Sequence, residues 1–389
     1  MPEYTGRSCL PRQFLRRKCT CFVVVLLGLF ICITLLAFLA FGKTGKVSSS
    51  LLQVSVLFRH GDRNPTETYP NDPYKEWAEG WGSLTKKGKM QMFEMGEKLR
   101  TYYDGFLSDI YSPDDILILS SDNDRCLMSA ETYLAGLYPP HESQKWHPDL
   151  NWQPIPVHST PRNLDSLIVV KKPCPKYDED LKNAYNSPEI AALNEQNQEL
   201  YDYLSKNAGQ EVHNITAVEF LFNTLEIEAS HHLKLPDWTA SVFPDKMKTL
   251  AARSLAIFTE TNDMKRSRGG PLVKLMTEHM TAKRAGTLKP NRRMFLYSAH
   301  DITIVNVWRT LGFSELLKPG YGASLLLELH LANHGTDHEV KILYINDTTT
   351  KDPQALSIPG CESPCLLDSF LEHVKPVIPD DWEKECKLT

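Results

Sequence analysis

Leu51-Leu52-Gln53-Val54-Ser55-Val56-Leu57-Phe58-Arg59-His60-Gly61-Asp62-Arg63-Asn64-Pro65 is the stretch that decides how this chain folds. In its first part Leu52, Val54, Val56 and Phe58 alternate with Gln53, Ser55 and Leu57. That is the period of a strand in a mostly buried setting. Its second part leaves the strand with a histidine between two arginines, beside a glycine. Like charges oppose protonation of such a histidine. The arrangement suits a site where an anion neutralises the arginines and a neutral imidazole attacks it. Phosphate is the natural anion, because a guanidinium fork matches its oxygens.

The strand–site–helix pattern occurs twice more. Ile116-Leu117-Ile118-Leu119 reads as a short apolar strand, and Ser120-Ser121-Asp122-Asn123-Asp124 supplies helix caps. Arg125 then opens a helix to about Leu137, which Pro139-Pro140 stops. Met294-Phe295-Leu296-Tyr297 reads as a third strand, followed by Ser298-Ala299-His300-Asp301. Ile302, Val305, Trp308 and Leu311 continue at helical spacing, with Gly312 as the C-cap. Between the first two units, Thr85 is a plausible N-cap for a helix carrying Met92, Met95 and Leu99.

Ligands of open α/β sheets bind outside the carboxyl ends of the strands. The three junctions thus bring Arg59, His60, Arg63, Arg125, His300 and Asp301 to one crevice. The expected fold is α/β: a central, mainly parallel sheet with helices on both faces, plus a smaller inserted helical cap. The cap is expected over residues 165–241, which are polar and helix-prone; residues 51–164 and 242–389 form the α/β catalytic domain. Ser324–His330 and Val340–Ile345 predict a late hairpin.

Residues 19–42 carry no charge and as a helix span roughly 36 Å, enough to cross a bilayer core of ~30 Å. Arg7, Arg12, Arg16, Arg17 and Lys18 precede this segment, and only Lys43 and Lys46 follow closely. The positive-inside rule keeps a cytosolic tail (1–18) and sends the body across the membrane after a short stalk (43–50). This predicts a single-pass type II signal anchor with a lumenal or extracellular body, in lysosome, Golgi or cell surface. A cleaved signal peptide is the competing reading, with secretion as its consequence; Ala37, Ala40 and Gly42 keep it open.

Composition is that of an ordinary globular protein, 42% hydrophobic with net charge −5. A mildly acidic chain argues against general nucleic-acid binding, which needs a basic face. The body holds Cys126, Cys174, Cys361, Cys365 and Cys386. Five thiols allow at most two disulfides. A local bridge between Cys361 and Cys365 would close a short loop, and Cys174 with Cys386 would tie the tail to mid-chain. Cys126, within a predicted helix, is then the buried free thiol. Asn214 and Asn346 open glycosylation sequons. No cysteine spacing suggests zinc. His231-His232, read as adjacent helical residues, point apart and do not suggest a metal pair. Tyr69, Tyr74, Trp77 and Trp81 read as loop packing, with a substrate mouth as the alternative.

The string Arg59-His60-Gly61-x-Arg63-x-Pro65 resembles the histidine acid phosphatase family, a branch of the phosphoglycerate-mutase-like histidine phosphatases. So do Leu84-Thr85-x-x-Gly88-x-x-Gln91 with Gly96 and Leu99-Arg100, Ser121-Asp122-x-Asp124-Arg125 with Ser129-Ala130, and Ser298-Ala299-His300-Asp301. The resemblance covers about residues 51–389 and looks closer to the lysosomal and prostatic acid phosphatases than to the phytases. It implies an acid phosphatase acting on small-molecule or protein phosphate monoesters with no cofactor. His60 would attack phosphorus, giving a phosphohistidine. Arg59, Arg63, Arg125 and His300 would hold the phosphoryl oxygens, and Asp301 would protonate the leaving alkoxide. A homodimer is among the assemblies the resemblance allows. Alternatives within reach are a Golgi-type sugar-phosphate phosphatase of the same superfamily and an inert, receptor-like relative.

Overall fold

The computed structural model describes residues 49–332 and 335–388. The segment 19–42 lies outside these, and no helix among the described residues is long and apolar enough to cross a membrane.

A seven-stranded sheet runs through the body in the order β3-β2-β4-β1-β5-β6-β7. Its strands are β1 (Leu51–Arg59), β2 (Ile116–Ser121), β3 (His158–Thr160), β4 (Met294–Ala299), β5 (Ser324–Ala332), β6 (Asp337–Ile345) and β7 (Gln354–Leu356). The pairs β3–β2, β2–β4 and β4–β1 are parallel, whereas β5, β6 and β7 add an antiparallel edge beyond β1. β5 and β6 are the expected hairpin, in full register from Ser324 opposite Ile345 to Ala332 opposite Asp337.

β1 is buried on both faces, and its alternation sorts its side chains. Val54, Val56 and Phe58 pack in one apolar cluster with α1 (Lys86–Tyr102) and α2 (Asp124–Leu137). Leu57 joins the opposite cluster, with Phe295, Tyr297 and helical residues such as Leu272 and Ile304. A register shift between Leu51 and Gln53 explains why Leu51 falls on the Val54 face. One extra residue reverses parity in a period-2 element. The N-cap of α1 is Thr85, whose hydroxyl accepts from the Gly88 N–H at 3.0 Å. α2 starts one residue before Arg125, capped by Asn123.

A second group of helices follows β3: α3 (Pro175–Tyr185), α4 (Pro188–Gln196), α5 (Gln198–Ala208), α6 (Ile215–Ser230), α7 (Asp245–Ala256) and α8 (Asn262–Arg268). These share a third apolar cluster, which includes Tyr69 and Cys386 and runs past residue 241 through Met247 and Leu250 to Met264. α9 (Gly270–Arg284), α10 (Asp301–Thr310) and α11 (Leu367–Val374) cover the Leu57 face of the sheet, and a short α12 (Trp382–Glu385) ends the chain. Disulfides join Cys174 to Cys386 and Cys361 to Cys365, leaving Cys126 as the buried free cysteine among the described residues.

Candidate active site

The carboxyl ends of β1 and β4 lie side by side, Arg59 opposite Ala299, and β2 flanks β4 with Ser120 opposite Ser298. The residues that follow all three strands therefore meet. The His60 N–H donates to the Ala299 carbonyl at 3.0 Å, so the turn after β1 is pinned to the end of β4. Arg59, His60, Arg63 and His300 are buried. Arg125 is half-buried on the first turn of α2. Asp301 opens α10, where a carboxylate favours the helix dipole.

His60 Nδ1 lies 2.8 Å from the Gly61 carbonyl oxygen. A carbonyl only accepts, so Nδ1 carries the proton and the Nε2 lone pair is free. Burial, then Arg125, Arg59, His300 and Arg63, hold the imidazole pKa well below its ordinary value. A neutral imidazole with an available lone pair is the nucleophilic form.

The cations around it keep donors in reserve. The Arg59 guanidinium donates to the Pro319 carbonyl at 2.6 Å, meets the Asp301 carboxylate at 3.0 Å and stacks 4.3 Å from the Tyr321 ring centroid. Arg63 donates to the Asn64 carbonyl at 3.0 Å. Arg125 donates to the Asn123 side-chain oxygen at 3.1 Å. The Nε–H groups of all three are buried without a partner among the described residues. Three such arginines around a neutral histidine form a cradle for a small multivalent anion.

His300 contributes a second imidazole, 5.5 Å from His60 between ring centroids. Arg125 approaches its Nδ1 at 3.4 Å and the Ser121 hydroxyl its Nε2 at 3.0 Å. Arginine only donates, so Nδ1 accepts and Nε2–H donates to Ser121. Burial, then Arg125, push the His300 pKa down to about 3. Cys126 closes the back of this ring, its Sγ 3.6 Å from Nε2. Burial pushes the Cys126 thiol up to about 12, so it stays a thiol.

Asp301 feels opposed forces. Burial favours its neutral form, but Arg59, Lys318, His60 and Arg63 prevail and hold it well below the usual carboxylate range. One oxygen accepts from the Ile302 N–H at 2.8 Å.

Glycine at position 61 follows from packing. A Cβ there would sit 2.3 Å from the Gly88 carbonyl oxygen, and a Cβ at Gly88 would sit 2.1 Å from the Asp62 carbonyl oxygen. The loop after β1 thus lies against the first turn of α1. The Asp62 carboxylate accepts from the Thr85 hydroxyl at 2.6 Å and pairs with His231 Nε2 at 2.8 Å. The helical placement of His231-His232 is corrected here: α6 ends at Ser230, His231 caps it, and His232 takes φ 59°. Among the described residues no group of three or more His, Cys, Asp or Glu is placed to hold a metal ion.

The four aromatics of the loop part company. Tyr69 is buried in the helical cluster, Tyr74 donates to the Lys234 carbonyl at 2.9 Å, and Trp77 stands edge-on to His231. Trp81 is exposed and lines a cleft of about 600 Å³ with Thr66, Gly82, Asn123, Arg125 and Met128. Lys318, Tyr321 and the pairing of His231 with Asp62 escaped the sequence reading, because Lys318, Tyr321 and His231 reach the site from distant segments.

A family model described as "Histidine phosphatase superfamily (branch 2)" matches residues 50–345. Human lysosomal acid phosphatase is 35% identical over 345 residues, 87% of this chain and 81% of that protein. Rat prostatic acid phosphatase is 37% identical over 343 residues, 86% and 89% of the two chains. Among solved structures, an apo phytase of Hafnia alvei superposes with a TM-score of 0.66 at 17% identity, covering 88% of this chain and 100% of that one. At that identity the likeness speaks for the fold alone.

Proposed function

The chain belongs to branch 2 of the histidine phosphatase superfamily, and from that premise we propose that it is an acid phosphatase that hydrolyses phosphate monoesters through a phosphohistidine at His60. The observation that carries this reading is the bond from His60 Nδ1 to the Gly61 carbonyl, which leaves Nε2 to attack among three guanidinium groups.

The phosphoryl group enters the cradle of Arg59, Arg63 and Arg125, with His300 Nδ1–Arg125 at its edge. Fixed cations there offset the charge that spreads over the equatorial oxygens in the transition state, and they need no reorganisation when it forms. The Nε2–P bond forms as the ester P–O bond breaks. Protonated Asp301 delivers its proton to the departing alkoxide and is left as carboxylate. That carboxylate then takes a proton from the water that attacks the phosphohistidine, which releases phosphate and restores both groups. Splitting the hydrolysis makes two easier steps of one.

The body reads as lumenal or extracellular, held by an uncleaved type II anchor at residues 19–42. The sequons fit that compartment: capping of α6 uses Asn214 Oδ1, so Nδ2 is not spent on it, and Asn346 is exposed. N-terminal sequencing of the mature protein decides anchor against cleaved signal. We carry the homodimer forward as a proposal, tested by the mass of the solubilised protein in solution. The central reading is tested with an aryl phosphate. His60→Ala must abolish turnover and the acid-labile phosphoenzyme trapped from labelled substrate. Turnover surviving in that variant would remove His60 as nucleophile.

A further inference from the structure

Lys318 sits in the loop before β5 with only 3% of its side chain exposed. Its ammonium lies 3.7 Å from the Asp301 carboxylate, which Arg59 also contacts. It also donates to Asn223 Oδ1 at 2.8 Å. The Asn223 amide in turn donates to the Glu219 carboxylate one helical turn earlier on α6. The Phe222 ring packs beside the ammonium, 5.8 Å from its centroid. A continuous chain, Asp301–Lys318–Asn223–Glu219, therefore runs from the first turn of α10 to a helix of the cap. A buried ammonium is costly unless it is paired and hydrogen-bonded, and here it is both.

We propose that Lys318, held by Asn223 and Glu219 of α6, is a positioning residue that orients Asp301 and sets the pH at which Asp301 carries the proton for the leaving alkoxide. This rests on Asp301 being the proton donor.

The charged and titratable groups facing Asp301 are Arg59 at the end of β1, His60 and Arg63 in the loop beyond it, Arg125 and Cys126 on α2, His300 before α10, Lys318 before β5 and Glu219 on α6. A bound phosphate offsets the charge of Arg59 and Arg63, whose unpartnered Nε–H groups line the cradle it enters. Lys318 is tied back to Asn223, so its hold on Asp301 persists in the substrate complex. It thus bears on the rate within the complex rather than on the capture of substrate. Glu219 is governed first by burial, which pushes it up to about 7 against the pull of Lys318. Below that pH it is neutral and leaves the whole ammonium charge to Asp301. Above it, the ionised carboxylate competes for Lys318. The proton balance is that of the main reaction: Asp301 loses H⁺ to the alkoxide and regains it from water.

The test is the pH dependence of kcat for an alkyl phosphate, glycerol 2-phosphate, on the full chain. Lys318→Met raises the pKa of Asp301, so the falling alkaline limb moves upward by about one pH unit. KM stays within about threefold, and Asn223→Ala moves the limb the same way by less. A limb that stays in place in both variants overturns the proposal, as does a large rise in KM with the limb unmoved, which makes Lys318 a phosphate ligand. Should Lys318→Met not fold, Asn223→Ala alone decides. A limb that persists in Asp301→Asn sinks the proton-donor reading itself, separately from any role of Lys318.

Discussion

The Arg59 guanidinium lies 3.0 Å from the Asp301 carboxylate, although 242 positions separate them in the chain. One residue ends β1 and the other starts α10, and the parallel pairing of β1 with β4 makes them neighbours. In the free protein this contact keeps Asp301 ionised. In the proposed mechanism the proton donor is thereby held empty until an anion arrives to compete for the arginine. In that mechanism Arg59 is thus one of the groups through which binding and protonation are coupled.

The first consequence concerns leaving groups. An alkoxide needs a proton as it departs, and a nitrophenolate does not. Asp301→Asn should therefore lower kcat on an alkyl phosphate by roughly 10²–10⁴-fold and leave an aryl phosphate much less affected. Equal losses on both substrates would remove Asp301 as the acid. The wild-type rate on alkyl phosphates should fall as pH rises above the acid range. The fold behaves oppositely towards this group. Its native pKa is depressed, so its charge stabilises the protein above the ordinary carboxylate pKa, and that contribution is lost only as pH falls through the depressed value.

The second concerns Gly61. With the Gly88 carbonyl 2.3 Å from where its Cβ would be, Gly61→Ala must push the catalytic loop away from α1. Overpacking of this kind costs about 1–3 kcal/mol. A lowered melting temperature together with a lower kcat on an aryl phosphate is expected, because His60 moves with the loop. A variant with the melting temperature and kcat of the parent would show that the two backbones do not need their close approach.

A third involves Glu228, fully buried on α6 beside the buried Asp72. Burial first, and Asp72 second, push the Glu228 carboxyl up to about 8. The native state then binds a proton that the unfolded chain has lost, from about its ordinary pKa up to about 8, so this group makes stability decline as pH rises through that window. Glu228→Gln should flatten the decline, matching the parent near pH 4.5 and exceeding it near pH 7 in thermal melts. An unchanged pH slope would count against the shifted carboxyl.

Much of the site was legible in the order of residues because its signals are local. Arg59, His60 and Arg63 follow a strand whose period declares it, Arg125 follows helix caps, and His300-Asp301 joins a strand to a helix. A rule about strand ends then sufficed to bring three separated junctions together. The pairing of β1 with β4, and the docking of the expected hairpin antiparallel to β1, needed the tertiary structure.

What the amino-acid order alone determined, then, is the set of strand-end residues and the chemistry they can do. Only the folded chain decided which groups stand behind them. Lys318 reaches Asp301, Asn223 and Glu219 reach Lys318, His231 reaches Asp62, and Gly88 abuts Gly61. The physical reason is one of range. Periodicity and capping act over a few residues and leave a trace in the local pattern. The docking of a cap helix is set by burial summed over many apolar side chains, such as Val218, Leu221, Phe222 and Leu225 on α6. No single residue of that surface announces which polar partners it will deliver to the site.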